Sequence, residues 1–366
     1  MNKTNTTILR IGTYPTLQRP GMGLHAYKIS SFDNFHVYYL TPSVNEDRFP
    51  IQKNCTLIEY PFYQKSRPRN SNILNKLLFQ IKRSFSILSF SIYAYYLMLK
   101  HKINIVHIHS PMYLLIALLA KLHGRKVFVT YHGTDFHRIR NSVVYKALSP
   151  IFLKAFAISS DMLDDLKKIH GSNKVELVRN GIDTETYKNL NKVRKKQLVA
   201  VGSLKEEKGF SILLKSFAKL LKNKEFDNYE LIIAGEGLLR KNLEKDIAEF
   251  NLQQKVNLVG HLNLADLTDL YNESEIFILS SISEGFPKVL LEAMSCGCKV
   301  VATRVGAIGD VLGSDEKFIS NVNDVDDLTR AIKYSITSGK NPDPSLLKKY
   351  NWEGVQKLYQ QQYEQD

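Results

Sequence analysis

The stretch SEGFPKVLLEAMSCG, residues 283–297, decides the fold of this chain. An apolar run typical of a buried strand, SEIFILSS at residues 274–281, precedes it, and a second such run, CKVVATRVGA, follows it. Pro287 favours the first turn of a helix, and Gly297 favours its end. The pattern therefore predicts a strand, a glycine turn, a helix over residues 288–295 and another strand, which together form a βαβ unit.

Two glutamates, Glu284 and Glu292, lie eight positions apart around the predicted start of this helix. Open parallel sheets bind ligands at the carboxyl ends of their strands, where this turn lies. The N–H groups of Gly285, Phe286 and Lys288 would be free to face a phosphate, and the carboxylates could accept hydrogen bonds from sugar hydroxyls. A capping glutamate and a solvated helix glutamate would explain the same pattern without any ligand.

The segment resembles the Glu-x7-Glu motif of the retaining family 4 glycosyltransferases, which have the GT-B fold. Both glutamates, the Gly-Phe pair, the LLEAM run, the Cys-Gly pair and the following VVAT agree with it. The resemblance implies that Glu284 contacts the sugar of a nucleotide-sugar donor and that Glu292 holds the ribose of the nucleotide. It assigns the residues between them to the donor site as well: Gly285, Phe286, Pro287, Lys288 and Val289.

A second matching segment is VGSLKEEKGF, residues 201–210, which in the family normally reads Gly-Arg-x5-Lys-Gly. Lys208 matches the family's lysine, a cation for the donor phosphates. Ser203 stands where the family has arginine, and a serine supplies one hydrogen bond but no charge. The diphosphate would then depend on Lys208 and a helix N-terminus, or on Lys205 as a substitute cation.

Three glycine-containing or loop segments complete the expected donor site. Gly23, in PGMGLHAY, precedes a helix, and the resemblance implies that it touches the donor phosphates, although an ordinary turn explains a glycine equally well. Gly235 and Glu236, in IIAGEG, match a turn near the nucleotide. His261 and Leu262, in VGHL, fall where the family's backbone reads the nucleobase.

Histidines mark the expected edge of the first sheet. VTYHGTDFHR places His132 at the end of a strand, where an imidazole can bond to a sugar hydroxyl or move a proton near neutral pH. A histidine bonded to backbone in a turn is the alternative, and the resemblance implies donor-sugar binding and transition-state support. Asp135 lies close by, and His109, in VHIHSP, ends the preceding strand; both are candidates for acceptor contact. His107 faces the same side as His109, and a structural role suits it equally.

Composition gives no sign of a metal or a disulfide framework. The three cysteines, Cys55, Cys296 and Cys298, lack metal-ligand spacing, which favours a reducing cytoplasm. Asp324 and Asp326 spell the DxD that some glycosyltransferases use for a metal, but an aspartate that starts a helix explains them more simply. No cofactor besides the donor substrate is expected, because a lysine and a helix dipole can stabilise the leaving group.

The net charge of +14 comes entirely from the first part of the chain. Residues 1–170 carry 23 Lys or Arg against 8 Asp or Glu, whereas the remainder carries 27 against 28. A basic cluster there leads into SFSILSFSIYAYYLML, residues 84–99, which is too short to span a bilayer. Basic residues followed by an apolar, tyrosine-rich run indicate contact of residues 65–100 with an anionic membrane surface. A core helix with solvated basic flanks is the alternative. No nucleic-acid signature or signal-peptide pattern is visible, so a peripheral protein on the inner face of the cytoplasmic membrane is expected.

The alternation of strands and helices predicts an α/β protein with parallel sheets. The expected architecture is the GT-B fold, with two Rossmann-like domains and an interdomain cleft. Residues 1–185 would form the acceptor-binding domain and residues 186–345 the nucleotide-sugar-binding domain, with a hinge in the charged NLNKVRKKQ stretch. The resemblance implies that residues 346–366 form a helix that crosses back to the first domain.

The implied activity is that of a retaining, metal-independent hexosyltransferase with His132, Lys208 and Glu284 as its catalytic residues. It would transfer sugar from a UDP-sugar to a hydroxyl of a glycan or lipid-linked acceptor in cell-surface polysaccharide biosynthesis. No carboxylate nucleophile stands out, which favours substitution on the same face of the sugar. Two alternatives stay open: a nucleotide-sugar epimerase or phosphorylase of similar fold, and a catalytically silent scaffold homologue, which the serine at position 203 would suit.

Overall fold

The chain divides into two compact units, which are described separately. The first comprises Met1–Arg179 together with Trp352–Asp366, and the second comprises Asn180–Asn351. Each is built on one parallel sheet, which confirms the prediction of two Rossmann-like domains. The computed structural model describes residues 6–16, 23–62, 73–132, 136, 139–284, 286–313 and 315–365.

The first unit contains a seven-stranded sheet. Its strands are β1 (Thr6–Ile11), β2 (Phe35–Pro42), β3 (Cys55–Tyr60), β4 (Ile105–Ile108), β5 (Lys126–Tyr131), β6 (Lys154–Ala157) and β7 (Val175–Leu177). Its first five described helices are α1 (Gly23–Lys28), α2 (Ile73–Lys100), α3 (Leu114–Leu122), α4 (Val143–Leu148) and α5 (Leu163–His170). The strand order is β3-β2-β1-β4-β5-β6-β7, so the direction of winding reverses between β1 and β4. Ligands of open sheets bind at such a reversal.

The second unit repeats this topology with six strands. They are β8 (Lys195–Val201), β9 (Glu230–Ala234), β10 (Val256–Gly260), β11 (Ser274–Leu279), β12 (Lys299–Thr303) and β13 (Ile319–Ser320). The helices are α6 (Phe210–Leu221), α7 (Arg240–Glu249), α8 (Leu264–Glu273), α9 (Lys288–Ser295), α10 (Ile308–Leu312) and α11 (Val325–Ser338). The order β10-β9-β8-β11-β12-β13 reverses between β8 and β11. The bounds of α9 agree with the helix predicted over residues 288–295.

The final helix, α12 (Trp352–Glu364), packs on the sheet of the first unit. Trp352, Val355, Tyr359 and Tyr363 form its buried stripe, at the spacing of one helix face. These side chains join a core cluster with aromatic residues of the sheet, including Phe128. The return of the C-terminal helix to the first unit, which the family resemblance implied, is thereby confirmed.

The boundaries between the units differ from those expected. The chain crosses after Arg179 and again after Asn351, rather than after residues 185 and 345. Ile182 and Tyr350 are both buried in a core cluster of the second unit. Apolar burial thus extends the second unit by several residues in each direction.

The charged stretch predicted to be the hinge is fixed to the second unit through Arg194. Its guanidinium donates to the carbonyl oxygens of Tyr271 at 3.0 Å, Ser274 at 2.5 Å and Cys296 at 2.7 Å. These carbonyls lie near the ends of α8 and α9, where helices leave acceptors unsatisfied. The expected hinge at this position was therefore wrong: the stretch lies inside the second unit, where Arg194 satisfies backbone carbonyls and Lys192 and Lys195 pair with carboxylates of α8.

Gly209 begins α6 in a left-handed conformation, with a φ of 62°. A Cβ atom at this position would overlap the carbonyl oxygen of Ser280, which follows β11. The loop after β8 therefore approaches the end of β11 more closely than a side chain at position 209 would permit. This contact positions the residues just before Gly209, which include Lys208.

A Gly209→Ala substitution should destabilise the second unit more than Gly339→Ala. Gly339 has nearly the same φ, 64°, but nothing lies within 4 Å of a Cβ built there. The left-handed backbone alone costs about 1 kcal/mol with alanine, so the Gly209 variant adds the steric overlap to that cost. Denaturant unfolding of both variants measures the difference, and equal losses would show that the loop moves aside freely.

Candidate functional site

Lys208 and Glu284 meet at the reversal point of the second sheet. Lys208 ends a short 3-10 helix after β8, and Glu284 lies in the loop after β11. The Lys208 Nζ and Glu284 Oε1 atoms are 2.5 Å apart, and the Ser281 hydroxyl donates to the same oxygen at 2.7 Å. Both partners are mostly buried. The fold thus brings together a cation and a carboxylate that the sequence separates by 76 positions.

The loops after β8 and β9 support this pair by packing backbone against backbone. Gly235 has a φ of 148°, and a Cβ atom there would overlap the carbonyl oxygen of Gly202. The Leu204 N–H donates to the Glu236 carbonyl at 2.9 Å. The glycine at position 235 is therefore required by the loop contact itself, and its predicted place beside a nucleotide stays a prediction.

The other residues expected near a nucleotide lie along the same edge of the sheet. Ser203 is exposed after β8, and its carbonyl accepts from the Lys205 N–H at 2.8 Å. The carboxylate of Glu236 accepts from the Arg240 guanidinium at 3.0 Å. His261 is exposed and Leu262 half-buried; both directly follow β10. These residues follow the carboxyl ends of neighbouring strands, and their predicted contacts with a nucleotide stay a prediction.

Glu292 lies in an unusual environment for a carboxylate. Burial raises its pKa to about 7, against the opposing effects of the Lys288 ammonium and of hydrogen bonds from Tyr271 and Tyr187. The Tyr271 hydroxyl donates to Glu292 Oε2 at 3.3 Å. Burial also lowers the pKa of Lys288, one helical turn earlier. Glu292 is therefore not the solvated helix glutamate of the simpler interpretation, because its carboxylate is shielded from water and accepts a hydrogen bond from Tyr271.

The beginning of α9 corrects one expectation. The N–H of Lys288 donates to the Phe286 carbonyl at 3.0 Å and is not free to face a phosphate, because the chain turns tightly before the helix. Phe286 packs against Tyr350, with ring centroids 5.8 Å apart. Pro287 is buried and Val289 is half-buried. Gly285 lies outside the described residues.

In the first unit, four histidines cluster where β4 and β5 end. The ring centroids of His107 and His109 are 4.4 Å apart, those of His109 and His132 are 5.8 Å apart, and those of His25 and His132 are 5.7 Å apart. His107 contacts hydroxyls through both ring nitrogens, which supports its structural interpretation. Burial lowers the pKa of His107 and of His109 well below 6.5, and the nearby Arg10 charge acts in the same direction. Both imidazoles are therefore neutral.

A cavity of about 650 Å³ opens beside these histidines within the first unit. Its walls come from α2 and from the loops after β1, β4 and β5, and they include His109, His132, Arg83 and Met112. Neither ring nitrogen of the buried His109 has a hydrogen-bond partner among the residues that the structure describes. Both nitrogens are themselves buried, so this neutral imidazole is an unsatisfied donor and acceptor within the wall of the cavity.

For two further predicted residues of the first unit, the structure gives no evidence of a functional role. Asp135 lies outside the described residues. Gly23 is the first residue of α1 and is buried against the loop that contains Thr13 and Pro15. This contact accounts for a glycine, so its role beside donor phosphates stays a prediction.

Sequence reasoning missed the polar residues that surround the histidines: Arg10, His25, Thr130, Tyr359 and Tyr363. Arg10 is completely buried in β1, and its position inside the apolar run ILRIG was a visible signal. Tyr359 and Tyr363 lie one turn apart on the buried face of α12. Their hydroxyls reach the histidines only because that helix returns to the first sheet, which no local pattern reveals.

The DxD tripeptide has the simpler of its two explanations. Asp324 caps α11, because its side chain accepts from the Asp327 N–H at 2.9 Å, and Asp326 forms an ion pair with Lys219. Within the described ranges, no group of three His, Cys, Asp or Glu side chains is arranged to hold a metal ion. The expectation of a metal-independent site stays a prediction.

Comparison with known families covers both units. The model described as Glycosyltransferase Family 4 matches residues 34–186, and the model described as Glycosyl transferases group 1 matches residues 182–350. The chain belongs to the group 1 glycosyltransferases, of the family 4 type. The two adjoining matches follow the two parallel-sheet units, and the recognition made from the Glu-x7-Glu segment is confirmed.

Among curated relatives of this glycosyltransferase, two are informative. The N-acetylgalactosamine-N,N'-diacetylbacillosaminyl-diphospho-undecaprenol 4-alpha-N-acetylgalactosaminyltransferase of Campylobacter jejuni is 31% identical over 229 residues, 58% of this chain and 60% of the relative. One subunit of the phosphatidylinositol N-acetylglucosaminyltransferase of Arabidopsis thaliana is 29% identical over 277 residues, 70% of this chain and 61% of the relative. The chain thus spans about three fifths of the length of each.

Solved structures agree with the fold along nearly the whole chain. Sucrose-phosphate synthase from Thermosynechococcus elongatus matches with a TM-score of 0.74, 18% identity and 98% coverage of each chain. The trehalose-6-phosphate protein from E. coli bound with UDP-2-fluoro glucose matches with a TM-score of 0.75, 12% identity and 99% coverage of each. These similarities confirm the GT-B fold of the glycosyltransferase.

The raised pKa of Glu292 predicts a measurable pH dependence of stability. Between its ordinary pKa of 4.5 and about 7, the folded chain holds a proton that the unfolded chain releases. The free energy of unfolding, relative to Glu292→Gln, should therefore fall as pH rises through this interval and level off above it. Tyr271→Phe removes a hydrogen bond that lowers the pKa, so it should raise the pKa further. Carboxyl-carbon NMR titration measures both values, with Glu292→Gln assigning the signal; a wild-type value near 4.5 would contradict this environment.

Proposed function

We propose that this protein is a retaining glycosyltransferase that moves a sugar from a UDP-sugar to a hydroxyl of a lipid-linked glycan acceptor. The observation that carries the proposal is the pairing of Lys208 with Glu284 at the reversal point of the second sheet. A cation and a carboxylate side by side suit a donor in which an anionic diphosphate adjoins a sugar with several hydroxyls. Family membership supports the same reaction class.

The donor would occupy the carboxyl edge of the second sheet. As the bond between the sugar carbon and the diphosphate oxygen breaks, negative charge grows on the diphosphate, and Lys208 stabilises it. Glu284 accepts hydrogen bonds from sugar hydroxyls, and Glu292 accepts them from the ribose. The E. coli neighbour bound with UDP-2-fluoro glucose supports UDP as the nucleotide.

The acceptor would occupy the cavity of the first unit. His109 presents a neutral imidazole there, and such a group can orient a sugar hydroxyl without placing a charge beside it. His132 lines the same cavity and would support the reacting sugar. A lipid-linked acceptor in polysaccharide biosynthesis is supported by the Campylobacter relative, whose name includes a diphospho-undecaprenol.

The negative charge on the leaving diphosphate would be stabilised without a metal, because Lys208 already supplies a cation. No carboxylate is assigned as nucleophile, so the incoming hydroxyl would attack on the face that the diphosphate leaves and would lose its proton to the departing diphosphate oxygen. The serine at position 203 removes one expected cation, but the retained pair of Lys208 and Glu284 favours an active transferase over a silent scaffold.

Lys208→Ala should reduce kcat/KM for the donor about 100-fold, the usual effect of removing one group that stabilises transition-state charge. Lys195→Ala is the matched control, because Lys195 forms an ion pair with Glu273 at the same 2.5 Å distance but far more exposed to solvent. A thermal-shift screen of nucleotide sugars first identifies the donor, and UDP release then reports turnover. Failure of the wild-type protein to bind any nucleotide sugar, or equal effects of the two variants, would refute the assignment.

The products separate the transferase from its enzymatic alternatives. A transferase releases UDP and extends the acceptor, whereas an epimerase leaves the altered sugar attached to UDP. A phosphorylase would require inorganic phosphate. Chromatography of the reaction mixture with and without added phosphate distinguishes the three.

We also propose that α2 rests on an anionic membrane surface, on the inner face of the cytoplasmic membrane. One face of this helix, including Phe90 and Met98, packs in the core, but a second apolar face is open to solvent. No helix among the described residues is long and apolar enough to cross a bilayer. The exposed side chains recur at helical spacing along its length: Leu74, Leu77, Leu78, Ile81, Phe85, Leu88, Ile92, Tyr96 and Leu99.

Charge complementarity supports an anionic bilayer as the partner of this exposed apolar face. Lys82 and Arg83 are exposed beside the apolar stripe, and the chain segment that carries them holds the whole basic excess of the protein. Apolar side chains at the acyl boundary with basic groups at the headgroups are the arrangement of interfacial helices. The basic residues Lys65, Arg67 and Arg69 lie outside the described residues.

The double variant Ile81→Ser/Phe85→Ser should weaken binding to phosphatidylglycerol-containing vesicles at least tenfold, since each buried apolar side chain contributes about 1.5–3 kcal/mol. Val193→Ser is the control, because Val193 is 91% exposed and lies in the second unit. Vesicle sedimentation measures the affinity. Normal binding by a variant neutralised at Lys65, Arg67, Arg69, Lys82 and Arg83 would contradict the electrostatic part of the proposal.

A further inference from the structure

The C-terminal helix is connected to the histidine cluster by an unbroken series of buried hydrogen bonds. It starts at Arg10, whose Nη2 lies 2.9 Å from the Tyr363 hydroxyl. That hydroxyl lies 2.5 Å from His107 Nδ1, and His107 Nε2 lies 2.8 Å from the Thr130 hydroxyl. Arg10, His107 and Thr130 are completely buried, and Tyr363 is nearly so.

The series continues from β5 back to α12 and ends on α1. The Thr130 hydroxyl lies 2.9 Å from the Tyr359 hydroxyl, which lies 3.0 Å from His25 Nε2. Tyr359 and His25 are also buried. Strands β1, β4 and β5 and helices α1 and α12 are therefore joined through six side chains.

Arg10 determines the direction of the first bonds. A guanidinium can only donate, so the Tyr363 oxygen must accept from it. If His107 also donated to that oxygen, the tyrosine hydrogen would be buried with no acceptor among the described residues, which is unfavourable. Tyr363 therefore donates to His107 Nδ1. Because a neutral imidazole carries one hydrogen, it lies on Nε2 of His107 and is donated to Thr130.

The same requirement sets the remaining bonds. With His107 donating, the Thr130 hydrogen has the Tyr359 oxygen as its acceptor. Tyr359, having accepted, donates in turn to His25 Nε2, so the hydrogen of a neutral His25 lies on Nδ1. The burial that lowers the pKa of His107 agrees with a neutral ring in this series.

We propose that Tyr363 and Tyr359 are positioning residues, through which α12 imposes one tautomer on His107 and one on His25. These two rings pack against His109 and His132, the histidines that line the cavity. A fixed tautomer and orientation in the supporting rings holds the cavity histidines in one arrangement. The consequence for catalysis rests on the proposed function, whereas the tautomers themselves do not.

The direction of the series gives an asymmetric test. Tyr363→Phe removes the first relayed bond, so both His107 and His25 should change to tautomer mixtures. Tyr359→Phe acts further along, so His25 should change while His107 keeps its hydrogen on Nε2. Two-bond proton–nitrogen NMR spectra of histidine-labelled protein report the tautomer of each ring. A purely structural role for the tyrosines would produce no such difference between the variants.

Tyr145→Phe is the matched control, because its hydroxyl forms a buried bond with Tyr131 in the same unit but lies outside the series. It should leave the spectra of His107 and His25 unchanged. Circular dichroism and melting temperature establish that each variant folds. If Tyr363→Phe does not fold, Tyr359→Phe still tests the proposal through the tautomer of His25. A wild-type His107 with its hydrogen on Nδ1, or spectra insensitive to both tyrosine variants, would overturn the proposed direction of the hydrogen-bond series.

Kinetics test the consequence for the cavity. Tyr363→Phe should lower kcat about tenfold or more through misplaced cavity groups. The donor KM should stay within about twofold of wild type, because all the predicted donor contacts except Gly23 and His132 lie in the second unit. Tyr145→Phe should leave kcat unchanged. Altered tautomers with an unchanged kcat would overturn the positioning role, whereas absence of any activity in the wild type would refute the proposed function and leave the spectra to decide the relay.

Discussion

The first unit depends on a positive charge that is completely buried at the centre of its sheet. Arg10 donates to the Ala26 carbonyl at 3.0 Å, to the Ser30 hydroxyl at 2.9 Å and to the Tyr363 hydroxyl at 2.9 Å. Burying a guanidinium is costly unless its N–H groups find acceptors. Helices α1 and α12 supply acceptors for Nη1 and Nη2, whereas Nε has no partner among the described residues. Through the Tyr363 hydroxyl, which also contacts His107 Nδ1 at 2.5 Å, this one side chain is connected to the histidine cluster.

Each unit places its candidate site where the strand order reverses, but the two sites differ in chemistry. The second unit joins a lysine with a glutamate, which suits an anionic diphosphate beside a sugar. The first unit lines a cavity with two histidines, of which His109 is neutral, and a neutral imidazole suits an uncharged hydroxyl. One topology thus supplies two environments, because the loops that follow the strands vary independently of the sheet.

Prediction from the sequence succeeded where short-range chemistry governs the structure. Pro287 and Gly297 mark the start and the end of α9, and the range predicted from them agrees with the helix observed. Prediction was wrong at Arg194, which satisfies distant backbone carbonyls and made a fixed segment resemble a linker. It was wrong also at the Lys288 N–H, which a tight local turn engages with the Phe286 carbonyl. The unit boundaries moved for a related reason, since Ile182 and Tyr350 bury apolar surface beyond the apparent ends of the domain.

The sequence by itself determined the α/β class and the two parallel sheets, because strand and helix periodicity and turn residues are local properties. It pointed to Lys208, Glu284 and Glu292 through the resemblance of their segments to a family motif. Only the tertiary structure decided which of those residues meet and in what environment. The contact between Lys208 and Glu284, the burial that raises the pKa of Glu292 to about 7, and the hydrogen bonds from α12 to the histidines all join distant segments. Such effects depend on which surfaces exclude water together, and that is set by packing rather than by neighbouring residues in the chain.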